Sequence, residues 1–309
     1  MHLNSFPDSV SAFSSGPLRV ERAHAKVNLL LRILAREAGG YHGLETLFQR
    51  LDLYDRVSVT VNDNPCVLQC DGPSMPPQGL GPPEQNLAWR AASAYCDAAR
   101  WETGWQIAID KHIPVGGGLG GGSADAAAVL RGLEALCPTP LGPARLLEIA
   151  GTLGADVPFM VCDIPLAWGW GRGDRLVPLP PLPPMAVTLV TFNEGVNTGA
   201  AYGAFARARE ASGESVRAYA YPPDAFTSWH RVASLAANDF EQVVPALHAG
   251  VAAVLPVLRD EAARLRADGH VAMALMSGSG ATCFVLHPPE LRVAPEAPAG
   301  GTVVRTGTV

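Results

Sequence analysis

Lysine is nearly absent from this chain. Lys and Arg together number 23 in 309 residues, and Lys26 and Lys111 are the only lysines among them. An arginine-rich composition that spares two positions suits either a need there for a compact ammonium, because a planar guanidinium cannot replace a point charge aimed at one oxygen, or two survivors by chance. Positive charge is scarce in sum as well, with a formal net charge of −6. That excludes a general basic field for a nucleic-acid backbone or an anionic membrane surface, so anion recognition has to be local. A small charged ligand suits the chain better than a polymer. No uncharged stretch approaches the ~20 apolar residues of a membrane span. The opening "MHLNSFPDSVSAFSSGPLRV" lacks the basic start and apolar centre of a secretory signal and the arginines of a transit peptide, which favours a cytoplasmic protein. No CxxC pair occurs among Cys66, Cys70, Cys96, Cys137, Cys162 and Cys283, so reduced thiols packed as small apolar groups are expected. There is no tandem repeat.

What is present is apolar and rich in glycine: 48% hydrophobic residues and 32 glycines. Such a length suggests about two domains. Residues 1–16 read as a leader, followed by one domain over 17–170 and a second over 171–309. "LRVERAHAKVNLLLRIL", "VSVTV" at 57–61 and "WQIAI" at 105–109 have the composition and alternation of strands. "NLAWRAASAYCDAAR" follows a Pro/Gly loop and has helical spacing, as does "GPARLLEIAGTLGAD". "VPLPPLPP", Val177 to Pro184, suits a rigid connector near a domain change or a polyproline ligand. Beyond it, "MAVTLVTF" reads as a strand, 229–268 as helical runs, and "VAMALMSGSGATCFVLH" as two strands around a glycine-serine turn.

The densest signal is "VGGGLGGGSADAAAVL", six glycines in seven positions between the strand "WQIAID" and an amphipathic helix. Val129, Leu130, Leu133 and Leu136 share one face of that helix until Pro138 and Pro140 stop it. Glycine permits close backbone approach and positive φ, while a helix N-terminus offers unpaired N–H groups and the positive end of a dipole. The stretch is therefore an anion cradle. Gly116, Gly118 and Gly121 satisfy GxGxxG, yet the acidic residue about 20 positions on is Glu134, inside the helix rather than at a strand end. Gly116 and Gly121 are followed by Gly122 and Ser123, not by the lysine and hydroxyl residue of a P-loop. Neither common phosphate loop fits.

"PVGGGLGGGSADAA" resembles the phosphate-binding motif of the galactose, homoserine, mevalonate and phosphomevalonate (GHMP) kinase superfamily. "AHAKVNLLLRIL" with "GGYHGLETLFQRLDLYDRV", "LGADVPFMV" and "MSGSGATCFVL" is similar in order and content to the 4-diphosphocytidyl-2-C-methyl-D-erythritol kinase family within it. The four motifs run from residue 23 to residue 286, leaving out the leader and the tail after about residue 288. The resemblance implies a two-domain α+β GHMP kinase fold: a nucleotide-binding domain like ribosomal protein S5 domain 2, a C-terminal α+β substrate domain, and an active site in the cleft between them. It implies ATP with Mg²⁺, a soluble monomer or weak homodimer, and no partner beyond the small-molecule substrate. Another substrate of the superfamily, or a nucleotide-binding regulator that has lost catalysis, are the alternatives.

Residue by residue, the resemblance implies Asp156 as the catalytic acid-base group and Lys26 as the lysine paired with it. Pro114, Val115, Gly116, Gly117, Gly118, Leu119, Gly120, Gly121, Gly122, Ser123 and Ala124 would hold the ATP phosphates, with Asn86 and Lys111 as further nucleotide-binding residues. Asn86 equally suits a helix N-cap, Ser123 a cap or a phosphate contact, and Lys111 a solvated surface charge. Asp156 also suits a turn before Val157 and Pro158. The implied substrate residues are Asn28, Tyr41, His42, Thr198, Tyr202 and Gly278, with Tyr41 and Tyr202 stacking on a cytosine that His42 hydrogen-bonds. No metal ligand is expected from the protein. Trp168 and Trp170 are expected to pack.

Overall fold

The computed structural model describes residues 16–36, 42–213 and 219–309, without the side chains of Arg36 and His42. Its order of elements is mixed α+β, and the chain divides into two compact units whose segments interleave. One unit takes Tyr54–Ile113, Gly121–Asp163 and the described residues up to His24; the other takes Ala25–Leu53, Pro114–Gly120 and Ile164–Val309.

The first unit contains one end of each of two long strands, β1 (Leu18–Arg36) and β2 (His42–Asn62), then β3 (Val67–Asp71), α1 (Leu87–Ala99), β4 (Gly104–Asp110), α2 (Gly121–Leu136), α3 (Pro143–Leu153) and α4 (Val157–Cys162). β4 lies between β2, antiparallel from Arg56↔Asp110 to Asn62↔Gly104, and β3, parallel from Val67↔Gln106 to Asp71↔Asp110. Trp105, Ile107 and Ile109 alternate inward from β4, as strand periodicity requires. α2 is nearly all small and apolar on its buried side, from Ala124 to Leu133. Gly132 lets it approach the sheet, since a Cβ there would stand 3.0 Å from a methyl of Val59. Arg131 anchors the helix, donating to the Met160 carbonyl at 2.7 Å and to Glu21 at 3.2 Å.

The second unit continues with β5 (Leu166–Gly171), β6 (Arg175–Leu179), β7 (Ala186–Phe192), α5 (Thr198–Ser212), α6 (Trp229–Leu235), β8 (Ala237–Asn238), α7 (Val244–Leu247), α8 (Ala249–Ala267), β9 (Met273–Met276), β10 (Cys283–His287) and β11 (Gly301–Gly307). β5 pairs antiparallel with the early half of β2 and with β6, and β8 pairs parallel with β1 at Leu30↔Ala237 and Leu31↔Asn238. A separate four-stranded sheet runs β11-β7-β10-β9. Its core includes Val190, Phe192, Phe205, Phe240, Leu255 and Leu258, packed with Leu31 and Ile33 from β1.

The expected strands and helices named above are found, with α2 ending at Leu136, ahead of Pro138. One reading changes. "VPLPPLPP" is not connector throughout, because Val177 and Pro178 belong to β6, where Pro178 stands opposite Ala167 on a strand paired along one edge only, a place that tolerates a missing N–H. In the tail beyond the matching motifs, Gly301–Gly307 pairs along all of β7. The leader up to residue 15 lies outside the described residues. All six cysteines are unbridged, and no helix among the described residues is long and apolar enough to cross a membrane.

Candidate active site

The glycine stretch leaves β4, forms a loop over 114–120, and enters α2 at Gly121. Gly116, Gly118 and Gly120 alternate at φ of 79°, 77° and 73°, left-handed backbone that side-chain-bearing residues resist. At Gly118 the need is also steric, for a Cβ would lie 2.2 Å from the Ser277 carbonyl oxygen. Three consecutive carbonyls of the loop are held from elsewhere in the second unit. Gly117 O accepts from Thr282 N at 3.1 Å, Gly118 O from the Ser277 hydroxyl at 2.9 Å, and Leu119 O from Lys26 N at 3.0 Å. With its carbonyls tied back, the loop is preorganised rather than floppy. Gly122, in the first turn of α2, is exposed, and only a methyl of Leu87 comes within 4 Å of where its Cβ would be. That turn, Gly121 to Ala124, presents helix N-terminal N–H groups with little side chain around them, which suits a phosphate.

Lys26 lies on β1 and is 3% exposed. Its Nζ donates to Asn28 Oδ1 at 2.8 Å; Asn28 Nδ2 donates to Thr46 Oγ1 at 2.8 Å; and the Thr46 hydroxyl donates to Leu30 O at 2.8 Å. Each donor in this relay is oriented by the next acceptor, so the ammonium has a defined direction. The Phe48 ring lies 5.8 Å from Nζ. Gly278, at φ 57°, completes the group: a Cβ on it would fall 3.2 Å from Gly118 O and 3.4 Å from Lys26 Nζ. The "MSGSG" turn therefore approaches both the glycine loop and the lysine, and is more than a strand connection.

Thr198 opens α5, its hydroxyl 2.8 Å from that of Ser279 in the same turn. Tyr202 packs edge-on against Phe240, centroids 4.8 Å apart, and borders the core of the unit. Tyr41 and the side chain of His42 lie outside the described residues. Trp168 packs as expected, stacked on Phe226 at 5.1 Å and edge-on to Tyr221 at 4.8 Å.

In the first unit, Asn86 takes its capping role: Oδ1 accepts from Ala88 N at 2.9 Å at the start of α1. Asp156 occupies the N-cap position of α4, but its side chain makes no capping bond. The turn is explained by Pro158 near the helix start, and the carboxylate is not consumed by it.

Lys111 corrects the sequence reading. It is not a solvated surface charge but 2% exposed, its Nζ bonded to Asp55 and, at 2.6 Å, to Asp125. Burial alone would lower its pKa, yet Asp125 and Asp55 outweigh burial and raise it. Asp125 is pushed up to about 7, chiefly by burial and then by Asp55, against the pull of Lys111. Asp55 Oδ1 also accepts from His112 N at 2.5 Å and Ile113 N at 2.7 Å, where the glycine loop begins. At the loop's far end, a Cβ on Gly121 would lie 3.1 Å from Ile113 and 3.5 Å from Lys111 Nζ. The triplet thus clamps the two stems of the loop together. Asp55 and Asp125 were not singled out from the sequence as partners of this loop. The available signal was Asp125 itself, a carboxylate among the alanines of a buried helix face, where a charge must find a partner.

Residues 86–163 match the GHMP kinases N terminal domain. The chain is 40% identical over 269 residues to the 4-diphosphocytidyl-2-C-methyl-D-erythritol kinase of Geobacter metallireducens, covering 87% of this chain and 89% of that protein. It is 38% identical over 266 residues to the protein of the same name from Pelobacter propionicus, covering 86% and 88%. The crystal structure of a 4-(cytidine 5'-diphospho)-2C-methyl-D-erythritol kinase is similar with a TM-score of 0.67 at 33% identity, over 94% of this chain and 99% of that one. A mevalonate kinase from L. major has a TM-score of 0.64 at 12% identity, covering 94% and 95%, a likeness of fold alone.

Proposed function

Because the chain belongs to the 4-diphosphocytidyl-2-C-methyl-D-erythritol kinase family, we propose that it transfers the γ-phosphoryl group of ATP to the 2-hydroxyl of 4-diphosphocytidyl-2-C-methyl-D-erythritol, an isoprenoid precursor, in the cytoplasm. The observation that carries this reading is the double use of Lys26. Its backbone N–H holds the glycine loop at Leu119 O, and its ammonium stands beside Gly278, so cradle and cation are fixed to each other through one residue.

Phosphoryl transfer passes through a loose transition state, in which the protein mostly positions groups and stabilises spread negative charge. The glycine loop and the first turn of α2 hold the phosphates. The hydroxyl oxygen forms its bond to phosphorus as the bond to the ADP oxygen breaks, and ADP leaves. Asp156 orients the hydroxyl and takes its proton late, when the oxygen has become acidic, and Lys26 polarises that oxygen. Such assistance is worth ~10² to 10⁴ in rate. Asn28 orients Lys26 and is proposed to meet the methylerythritol end. Tyr41 and His42 are proposed to read the cytosine, with Tyr202 and Thr198 beside the substrate. Lys111 we assign to the stem of the loop rather than to a phosphate. Among the described residues no three His, Cys, Asp or Glu side chains converge as a metal cage. Mg²⁺, which needs few protein ligands when phosphates supply the rest, would come with ATP and neutralise phosphate charge.

A coupled ADP-release assay with the diphosphocytidyl substrate tests the reading. Asp156→Asn is expected to lose at least about 10²-fold in kcat while nucleotide binding persists. Equal turnover in both proteins removes Asp156 from the mechanism, and no turnover in the wild type removes the assigned substrate.

A further inference from the structure

The segment Ala237–Gln242, "ANDFEQ", plays no part in the reading above, yet three of its side chains reach into the frame around Lys26. Asn238 is 5% exposed, and its backbone sits in β8, registered against Leu31 of β1, the strand that carries Lys26 and Asn28. Its carboxamide is fully used. Nδ2 donates to Met276 O at 2.7 Å and to Gly278 O at 2.8 Å, while Oδ1 accepts from Phe240 N at 3.0 Å. Glu241 accepts from Met276 N at 2.6 Å, and Asp239 from Ile33 N at 2.7 Å. The segment thus joins β1 to the turn at 277–280.

That turn is closed by its own backbone, Gly280 N donating to Ser277 O at 2.9 Å and Ser277 N to Thr282 O at 2.8 Å, and Asn238 adds a hold on its Gly278 carbonyl. Gly278 is at φ 57°, a conformation glycine enters without commitment to it, so the orientation of its following peptide depends on what holds its carbonyl. Asn238 holds it. From the same turn, Ser277 binds Gly118 O and Ser279 meets Thr198. A ring of contacts closes: Lys26 along β1 to Leu31, across to Asn238, through its amide to Gly278, from Ser277 to Gly118, and from Leu119 O back to Lys26 N.

Resting on the kinase reading, we propose that Asn238 is a positioning residue for phosphoryl transfer, fixing the 277–280 turn so that the glycine loop and the Lys26 ammonium keep one mutual geometry. It touches neither substrate nor phosphate and acts through Gly278. A misplacement of reacting groups by about 1 Å can cost on the order of 10²-fold in rate.

The test compares wild type with Asn238→Asp, which is nearly isosteric and keeps the bond from Phe240 N but loses both donors. Asn238→Ser, which retains one donor, serves if the first variant fails to fold. Arg259→Gln is the stability control, since Arg259 is an exposed partner of Glu241. Turnover with ATP and the diphosphocytidyl substrate, thermal midpoint, and amide hydrogen exchange are measured on each. Asn238→Asp is expected to lower kcat about 10- to 100-fold with a smaller change in KM for ATP. The amides of Lys26, Gly280 and Thr282 are expected to exchange faster, while Arg259→Gln lowers the midpoint and leaves kcat and those amides unchanged. A kcat that stays at the wild-type value, or that falls only as far as the midpoint shift of the control accounts for, overturns the proposal. So does unchanged exchange at the three amides. If the wild type itself fails to turn over, the kinase reading has failed, and the exchange arm still decides whether Asn238 fixes the turn.

Discussion

Lys26 and Lys111 are the same residue type, each buried to within 3% of full enclosure, and each near the glycine loop in sequence or in contact. Their partners differ. Lys26 donates to a neutral amide oxygen, oriented in turn by Thr46, whereas Lys111 sits between two carboxylates. An amide oxygen helps to direct an ammonium, whereas two flanking carboxylates offset its charge within the fold. Burial of a cation is therefore no guide to its use. The two carboxylates close Lys111 within the fold, an architectural use, whereas Lys26 is the lysine proposed to face the reacting oxygen.

The sharpest way to break this contrast is to remove each ammonium in turn. Lys26→Met should cost about 10²–10³ in kcat, the scale of one preorganised electrostatic donor, with a minor change in urea midpoint. Lys111→Met should do the reverse. It leaves two carboxylates buried together, and removal of one partner from such a group costs about 3–5 kcal/mol, read from urea unfolding, without a comparable fall in kcat. If Lys26→Met unfolds the protein while Lys111→Met abolishes turnover of a stable one, the roles are exchanged and the comparison fails.

The smallest expected effect concerns pH. The folded pKa of Asp125, about 7, lies above its ordinary 3.8, so between these values the folded state binds a proton that the unfolded state does not. Stability from this group is present below about 4 and is lost as pH rises towards 7. Glu241, raised to about 7 by burial, acts in the same direction. Asp125→Asn should therefore flatten, without abolishing, the decline of the urea midpoint between pH 5 and 7.5. An unchanged slope would show that the triplet does not titrate in that range.

Much of the site was legible from local pattern. The glycine loop, the helix after it and the strands on either side follow from residues adjacent in the chain, and so do the cap at Asn86 and the turn at Asp156. The strand at 301–307 was not legible, because its pairing partner β7 is more than a hundred residues away and its own composition is modest. The same holds for Asp55, which meets Lys111 across 56 positions, and for Asn238, which meets Gly278 across 40.

The amino-acid sequence by itself determined where backbone is bare, where helices begin and end, and which side chains can carry a charge or a proton. These are short-range matters of φ, ψ and periodicity. Only the tertiary structure decided which lysine sits between two carboxylates, which turn abuts the glycine loop, and which amide holds that turn in place. A buried polar group is defined by its partner, and here each partner arrives from a distant stretch of chain that no local rule connects.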